Sequence, residues 1–145
     1  IKDLSQEKFA RRIAENIKKR QKIKPIETSK EFAEAVIQAV PRNYERGRLH
    51  PATRTFLALR IYANKELENL EKTLKNLNLI LKPGGIIVIV SFESSEDRLV
   101  KNYFRVLAKV DQMKILTPKP IRPSPEEIKA NPRSRSAKLR AAIIL

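Results

Sequence analysis

The sequence predicts an α/β protein that opens with a small basic helical lobe. Three observations carry that expectation. As far as residue 49, apolar residues recur at helical spacing with cations between them. A leucine stripe over 65–81 then runs into Lys82-Pro83-Gly84-Gly85 and the β-branched block "IIVIV". A further amphipathic stretch and two short apolar segments complete a strand–helix–strand order, the grammar of an α/β layer. The expected domains are a helical lobe at 1–49 and an α/β part at 50–145.

In the lobe, a helix is expected from Ser5 to about Ile23. Phe9, Ile13 and Ile17 recur every four residues, Ala10 and Ala14 lie beside them, and Lys24-Pro25 ends the run. "TSKEFAEAVIQAV" then starts with Thr28 and Glu31 at capping-box spacing, and its apolar face runs through Phe32 and Val36 to Pro41. Pro51 suits the first turn of the next helix, where its missing N–H costs nothing, and Asn64 marks a break. Leu67, Leu70, Leu74, Leu77 and Leu81 form the stripe of the following helix, a core face. "IIVIV" lacks polar alternation, so it is expected to be buried on both faces, as in a parallel sheet. Ser94 or Ser95 is the expected cap of the helix after it, with acids in its first turn. Met113 to Leu116 and Leu139 to Leu145 are the expected last strands. The segment between them holds five of the nine prolines and is long for a loop, so it is ordered on a partner or wrapped over the domain.

Composition narrows the function. Thirty-one Lys and Arg against sixteen Asp and Glu leave a net charge of +15 over 145 residues. A heat-adapted surface would mix both signs, whereas this excess is one-sided and fits a polyanionic partner such as nucleic acid. There is no cysteine, which excludes disulfides and thiolate metal sites, and a single histidine argues against a zinc or iron centre. No apolar run approaches the roughly 20 residues of a membrane span and no signal peptide opens the chain, so a cytoplasmic location is expected. The first residue is Ile1 rather than Met, which reads as a fragment of something longer.

Only three glycines occur, at 47, 84 and 85, so neither a dinucleotide-binding glycine loop nor a P-loop can be built. Asn131-Pro132-Arg133 begins like the Asn-Pro-Pro motif of amino-group methyltransferases but lacks the second proline and the aromatic; alone it is a turn. The stronger candidate is His50, the only histidine, with Arg46, Arg48 and Arg54 around it at a helix start. Free N–H groups and guanidinium there would suit a phosphate. The alternative is that His50 caps the helix and Arg54 pairs with Glu45 or Glu66. Ser91, Phe92 and Glu93 follow the β-branched strand, where ligands of open α/β sheets bind, although helix capping explains them equally. Arg133 and Arg135 belong to "NPRSRSAKLR", a run of cations among small hydroxyl residues that suits either phosphate contact or a solvated loop.

"LHPATRTFLALRIYANKEL", "LKPGGIIVIVSFESSEDRLVKNYFR" and "NPRSRSAKLRAA" closely resemble the bacterial small-subunit ribosomal RNA cytosine-N4 methyltransferase (MraW) family, and "FARRIAENI" with "PIETSKEFAEAV" looks like its inserted helical lobe. The resemblance spans nearly the whole chain. It implies the C-terminal half of a Rossmann-like methyltransferase that carries a methyl group from S-adenosylmethionine to the exocyclic N4 amine of a cytidine. Small-subunit ribosomal RNA, or the small subunit itself, is then the partner, with the missing N-terminal half as a second one. The family's glycine-rich cofactor loop and ribose-holding acid precede everything in this chain, so the resemblance implies that these residues alone bind no cofactor and are inactive. Glu93 stands where the family has histidine and Ser95 where it has leucine, which puts that histidine's role in doubt here. A non-catalytic RNA-binding or ribosome-assembly module of the same fold is the alternative.

Overall fold

The computed structural model describes the whole chain except Arg48, with residues 46 and 47 by backbone alone. It divides into two compact units, Ile1–Lys65 and Glu66–Leu145.

The first unit is helical: α1 (Lys2–Ser5), α2 (Ala10–Ile23), α3 (Ser29–Ala39), a 3-10 turn at Tyr44–Gly47 and α4 (Thr53–Ala63). The helix expected from Ser5 is therefore split. Gln6 takes a left-handed backbone (φ 56) that ends α1, and α2 starts only at Ala10. Between them Glu7 turns inward and is 1% exposed. Its carboxylate accepts the Phe9 N–H at 2.8 Å and the Tyr44 hydroxyl at 2.8–2.9 Å, so this buried acid is satisfied by hydrogen bonds. Ile13, Val36, Ala39, Val40 and Ala52 form the core, with Phe9, Ile17, Phe32 and Tyr44 packed against it. Asn16 ties α2 to α3 by donating to the Ala35 carbonyl at 2.7 Å. The expected capping box is present: Thr28 Oγ1 accepts the Glu31 N–H at 3.2 Å, and Glu31 accepts the Thr28 N–H at 3.1 Å. The Glu27 and Thr28 N–H groups and Lys24 bring the Glu31 carboxyl down to about 2. α4 starts after Pro51 as the sequence requires and stops at Asn64.

The second unit contains α5 (Glu66–Lys75), α6 (Leu77–Ile80), β1 (Ile86–Ser91), α7 (Ser94–Lys109), β2 (Met113–Ile115), α8 (Pro125–Ala130), a 3-10 turn at Pro132–Ser136 and β3 (Lys138–Ile144). The leucine stripe is interrupted at Asn76, but four of its five leucines reach the core. Leu74 and Leu77 pack with Val100, Phe104, Met113, Ala142 and Ile144, and Leu70 and Leu81 flank them. At the stop signal Gly84 adopts φ 81, a conformation that glycine enters without steric cost. Gly85 lies so close to the Lys82 carbonyl that a Cβ would come within 2.8 Å of it. The turn is also stitched to β3, with Gly84 N–H donating to Ile144 O and Ile144 N–H to Gly85 O.

The strand order is β1-β3-β2, and both pairings are antiparallel. This corrects the expectation of a parallel sheet around "IIVIV". β1 and β2 do point the same way, joined by α7 as a crossover, but β3 lies between them and runs against both. β1 is also not buried on both faces. Ile87 and Ile89 pack on the core, whereas Ile86, Val88 and Val90 are 57%, 54% and 50% exposed. Alternation is a property of which strand faces are covered, and a run of β-branched residues cannot report it. The proline-rich segment is ordered within its own unit: Ile121 bridges to Leu139, Ser124 caps α8, and the Thr117 hydroxyl accepts the Ala141 N–H at 2.8 Å.

Candidate functional site

In the second unit the candidates converge on one end of the sheet. Register places Ser91, the last residue of β1, opposite Lys138, the first of β3, and the 3-10 turn carrying Arg133 and Arg135 ends just before Lys138. Ser91 is buried and its hydroxyl is 3.5 Å from the Lys138 carbonyl, while Phe92 is half-exposed. Glu93, not Ser94 or Ser95, is the N-cap of α7. Its carboxylate accepts the Glu96 N–H, and Glu96 accepts the Glu93 N–H at 3.2 Å. Glu93 therefore closes a capping box with Glu96. Arg133 and Arg135 are exposed. Asn131-Pro132-Arg133 is a turn, its Asn131 carbonyl accepting both the Ser134 N–H and hydroxyl.

The same end contains a cluster that sequence reasoning missed. Asp97, in the first turn of α7, accepts from Arg140 Nε at 2.7 Å and lies 3.7 Å from Lys138 Nζ. Lys138 also donates to Ser94 Oγ at 3.4 Å. Side-chain exposure is 7% for Arg140 and 16% for Asp97 and Lys138. Burial alone would push the Asp97 carboxyl up; the Arg140 hydrogen bond and the charges of Arg140 and Lys138 outweigh it and hold the group below its ordinary range. The only advance signals were an acid in a helix first turn and a cationic run, 43 residues apart, and nothing in either names the other.

In the first unit, His50 Nδ1 accepts the Ala52 N–H at 3.2 Å and its carbonyl accepts the Thr53 N–H at 2.9 Å, so the imidazole closes the turn into α4. Arg54 Nε donates to Glu45 at 2.6 Å, with side-chain exposures of 37% and 16%. Of the two acids the sequence offered Arg54, Glu45 is therefore bonded to it. That hydrogen bond lowers the Glu45 carboxyl and raises the Arg54 guanidinium. Arg46 lies in the 3-10 turn, its side chain outside what is described, and Arg48 lies outside the described residues. Along α2, Arg11, Arg12, Lys18, Lys19 and Lys22 are exposed, with Arg11 paired to Glu15. Arg12 also stands 5.7 Å from the Phe9 ring centroid. Among the described residues, no group of three or more His, Cys, Asp or Glu could hold a metal, and no helix is long and apolar enough to cross a membrane.

The sequence model of the MraW methylase family matches residues 1–144. The chain belongs to that family. Its relatives in this MraW family include proteins named ribosomal RNA small subunit methyltransferase H. The one from Persephonella marina is 51% identical over 142 residues, covering 98% of this chain and 48% of the relative. That from a Sulfurihydrogenibium species is 51% identical over 140 residues, with 97% and 48% coverage. That from Synechococcus elongatus is 47% identical over 142 residues, with 98% and 46%. The chain thus spans about half the length of the curated relatives it matches. MraW methylases are methyltransferases, which implies S-adenosylmethionine as donor. The adjacent glycines, Gly84 and Gly85, make the turn that enters β1, at the strand end opposite Ser91, so they form no glycine cradle for it beside the candidate residues.

Proposed function

We propose that this chain is the RNA-binding, C-terminal part of a Rossmann-like, S-adenosylmethionine-dependent methyltransferase. The enzyme would act in the cytoplasm on the exocyclic N4 amine of a cytidine in small-subunit ribosomal RNA. The observation that carries the reading is the family match over residues 1–144, together with relatives named for small-subunit ribosomal RNA. The net charge of +15 and the exposed cations of α2 support the RNA contact. In this reading residues 1–49 are the inserted lobe and 50–145 belong to the catalytic domain. Arg46, Arg48, His50 and Arg54 serve the RNA from one unit; Ser91, Phe92, Glu93, Arg133 and Arg135 line part of the cytidine pocket in the other. Catalysis would need the half of the relatives' length that this chain does not span. Among the described residues one edge of β1 has no strand beside it, and this edge with the half-exposed Ile86, Val88 and Val90 supports completion of the sheet by such a segment.

The test is binding of small-subunit ribosomal RNA fragments across a salt series. Log K should fall by roughly 0.7 to 0.9 per contacted phosphate for each tenfold rise in salt. A binding constant that does not change between low and physiological salt rules RNA out as the partner. The second reading is a non-catalytic RNA-binding or assembly module of the same fold. Calorimetry with S-adenosylmethionine, on this chain alone and with the remaining half supplied, separates the two.

A further inference from the structure

Arg54 and Glu45 line a cavity of about 540 Å3 in the first unit, together with Lys8, Phe9, Pro41 and Tyr44. That volume lies within the roughly 300–1,000 Å3 of small-ligand pockets. Two cations, Lys8 and Arg54, face it, and Glu45 is the one carboxylate among its described lining residues. The nearby Glu7 carboxylate is already engaged by the Tyr44 hydroxyl and the Phe9 N–H. Glu45 holds its place at a cost: its φ of 60 is a left-handed conformation that side-chain-bearing residues adopt only against a steric penalty. A carboxylate and a phosphate each offer guanidinium a pair of anionic oxygens in the same fork geometry, so a phosphate could take the position Glu45 now holds.

We propose that this cavity seats one nucleotide of the RNA, with its phosphate on Arg54 and Lys8, and that Glu45 is the placeholder on Arg54 in the free protein. Phe9, Tyr44 and Pro41 supply the apolar wall against which a base or ribose packs. When the phosphate arrives, Glu45 swings out and its backbone is released from the left-handed conformation. The inference rests on the RNA reading above and adds a location and a sign: the acid beside Arg54 competes with RNA. An ion pair serving only to hold the 3-10 turn predicts the reverse, since removing Glu45 would then loosen the turn and leave affinity unchanged or lower.

The experiment is fluorescence anisotropy of a labelled single-stranded fragment of small-subunit ribosomal RNA with the full chain and its variants. Glu45→Gln should tighten binding by about three- to tenfold, the yield of freeing one partly exposed cation. Glu45→Gly should do the same or more, because glycine accepts the backbone, and it reads the effect if the glutamine variant fails to fold. Arg54→Ala should weaken binding and lower the salt slope by about 0.7, one single-strand phosphate contact. Inorganic phosphate in millimolar amounts should not compete; if it does, the cavity is a small-anion site and the nucleotide assignment falls. If the unaltered chain binds RNA with normal salt dependence and neither Glu45 variant tightens it, the placeholder is overturned and the RNA reading stands. If the unaltered chain binds no RNA at low salt, both are overturned.

Discussion

Each unit contains an arginine bonded through Nε to a carboxylate at nearly the same distance, 2.6 Å for Arg54–Glu45 and 2.7 Å for Arg140–Asp97. In the first unit the partners are nine residues apart, and Arg54 remains 37% exposed beside an open cavity. In the second they are 43 residues apart, Arg140 is 7% exposed, and a second cation, Lys138, faces the same carboxylate. The difference teaches what a distance leaves out. The two carboxylates are equally covered, at 16% exposure, so the contrast lies in the arginines. Water reaches Arg54 and screens the first pair from that side, which leaves its guanidinium exchangeable. The second pair has lost most of its hydration, so deleting one partner strands a buried charge. One arrangement suits a surface that must give up its acid to a ligand; the other suits a clamp between the start of α7 and β3.

The largest effect should come from the clamp. Asp97→Ala is expected to destabilise the second unit by about 3 kcal/mol, because Arg140 and Lys138 are left uncompensated. For a unit of this size that is about 15 °C in Tm; a shift under a few degrees would place both pairs in the same class. Alkaline titration should next separate the units. Burial, and then the hydrogen bond to Glu7, raise the Tyr44 hydroxyl pKa well above its ordinary 10.0. An acid whose pKa is raised by folding contributes stability that is present below pH 10 and lost as pH rises further. The first unit is therefore expected to loosen above pH 10, with one of the three tyrosines ionising only as it does so. Tyrosinate absorbance followed alongside circular dichroism checks this, and a Tyr44 that ionises in the intact fold defeats it.

A smaller change sharpens the clamp. Lys138→Met leaves Asp97 bonded to Arg140 and should cost only about 1 kcal/mol in chemical denaturation, well short of Asp97→Ala. Equal losses from the two variants would mean that Lys138, rather than Arg140, satisfies the carboxylate. The smallest stability effect belongs to Arg54→Ala. With Arg54 more than a third exposed, the loss should be about 0.5 kcal/mol after solvent screening, with little change in Tm. If that variant melts as far below the unaltered chain as Asp97→Ala does, the pair is structural and its availability to RNA is excluded.

Helix positions in the first unit were legible because their signals are local. Thr28 and Glu31 are three residues apart and close a capping box; Pro51 and Asn64 bracket α4. Local periodicity also placed the core leucines, but it could not show that Gln6 and Asn76 break the helices around them. The candidate residues were visible in the sequence as cations and hydroxyls beside a helix start and a strand end. Their partners were not, since the Asp97 contacts depend on β3 returning antiparallel to β1, a pairing between segments with two helices, a strand and a 3-10 turn between them. The wall of the Arg54 cavity had the same difficulty: Lys8 and Phe9 come from the segment before α2, far from α4 in sequence.

By itself the sequence determined the strength and sign of the charge, the family, the Thr28–Glu31 capping box and the glycine stop before β1. These follow from residue type and short spacing, which act before any long-range contact forms. The tertiary structure decided that "IIVIV" is an edge strand beside an antiparallel neighbour, that Glu93 caps α7, that Asp97 holds two cations, and that Arg54 is already bonded to Glu45. Each of these depends on which groups lose their water and which distant groups replace it. A chain read one window at a time carries no record of that exchange, which is settled only when separate segments pack together.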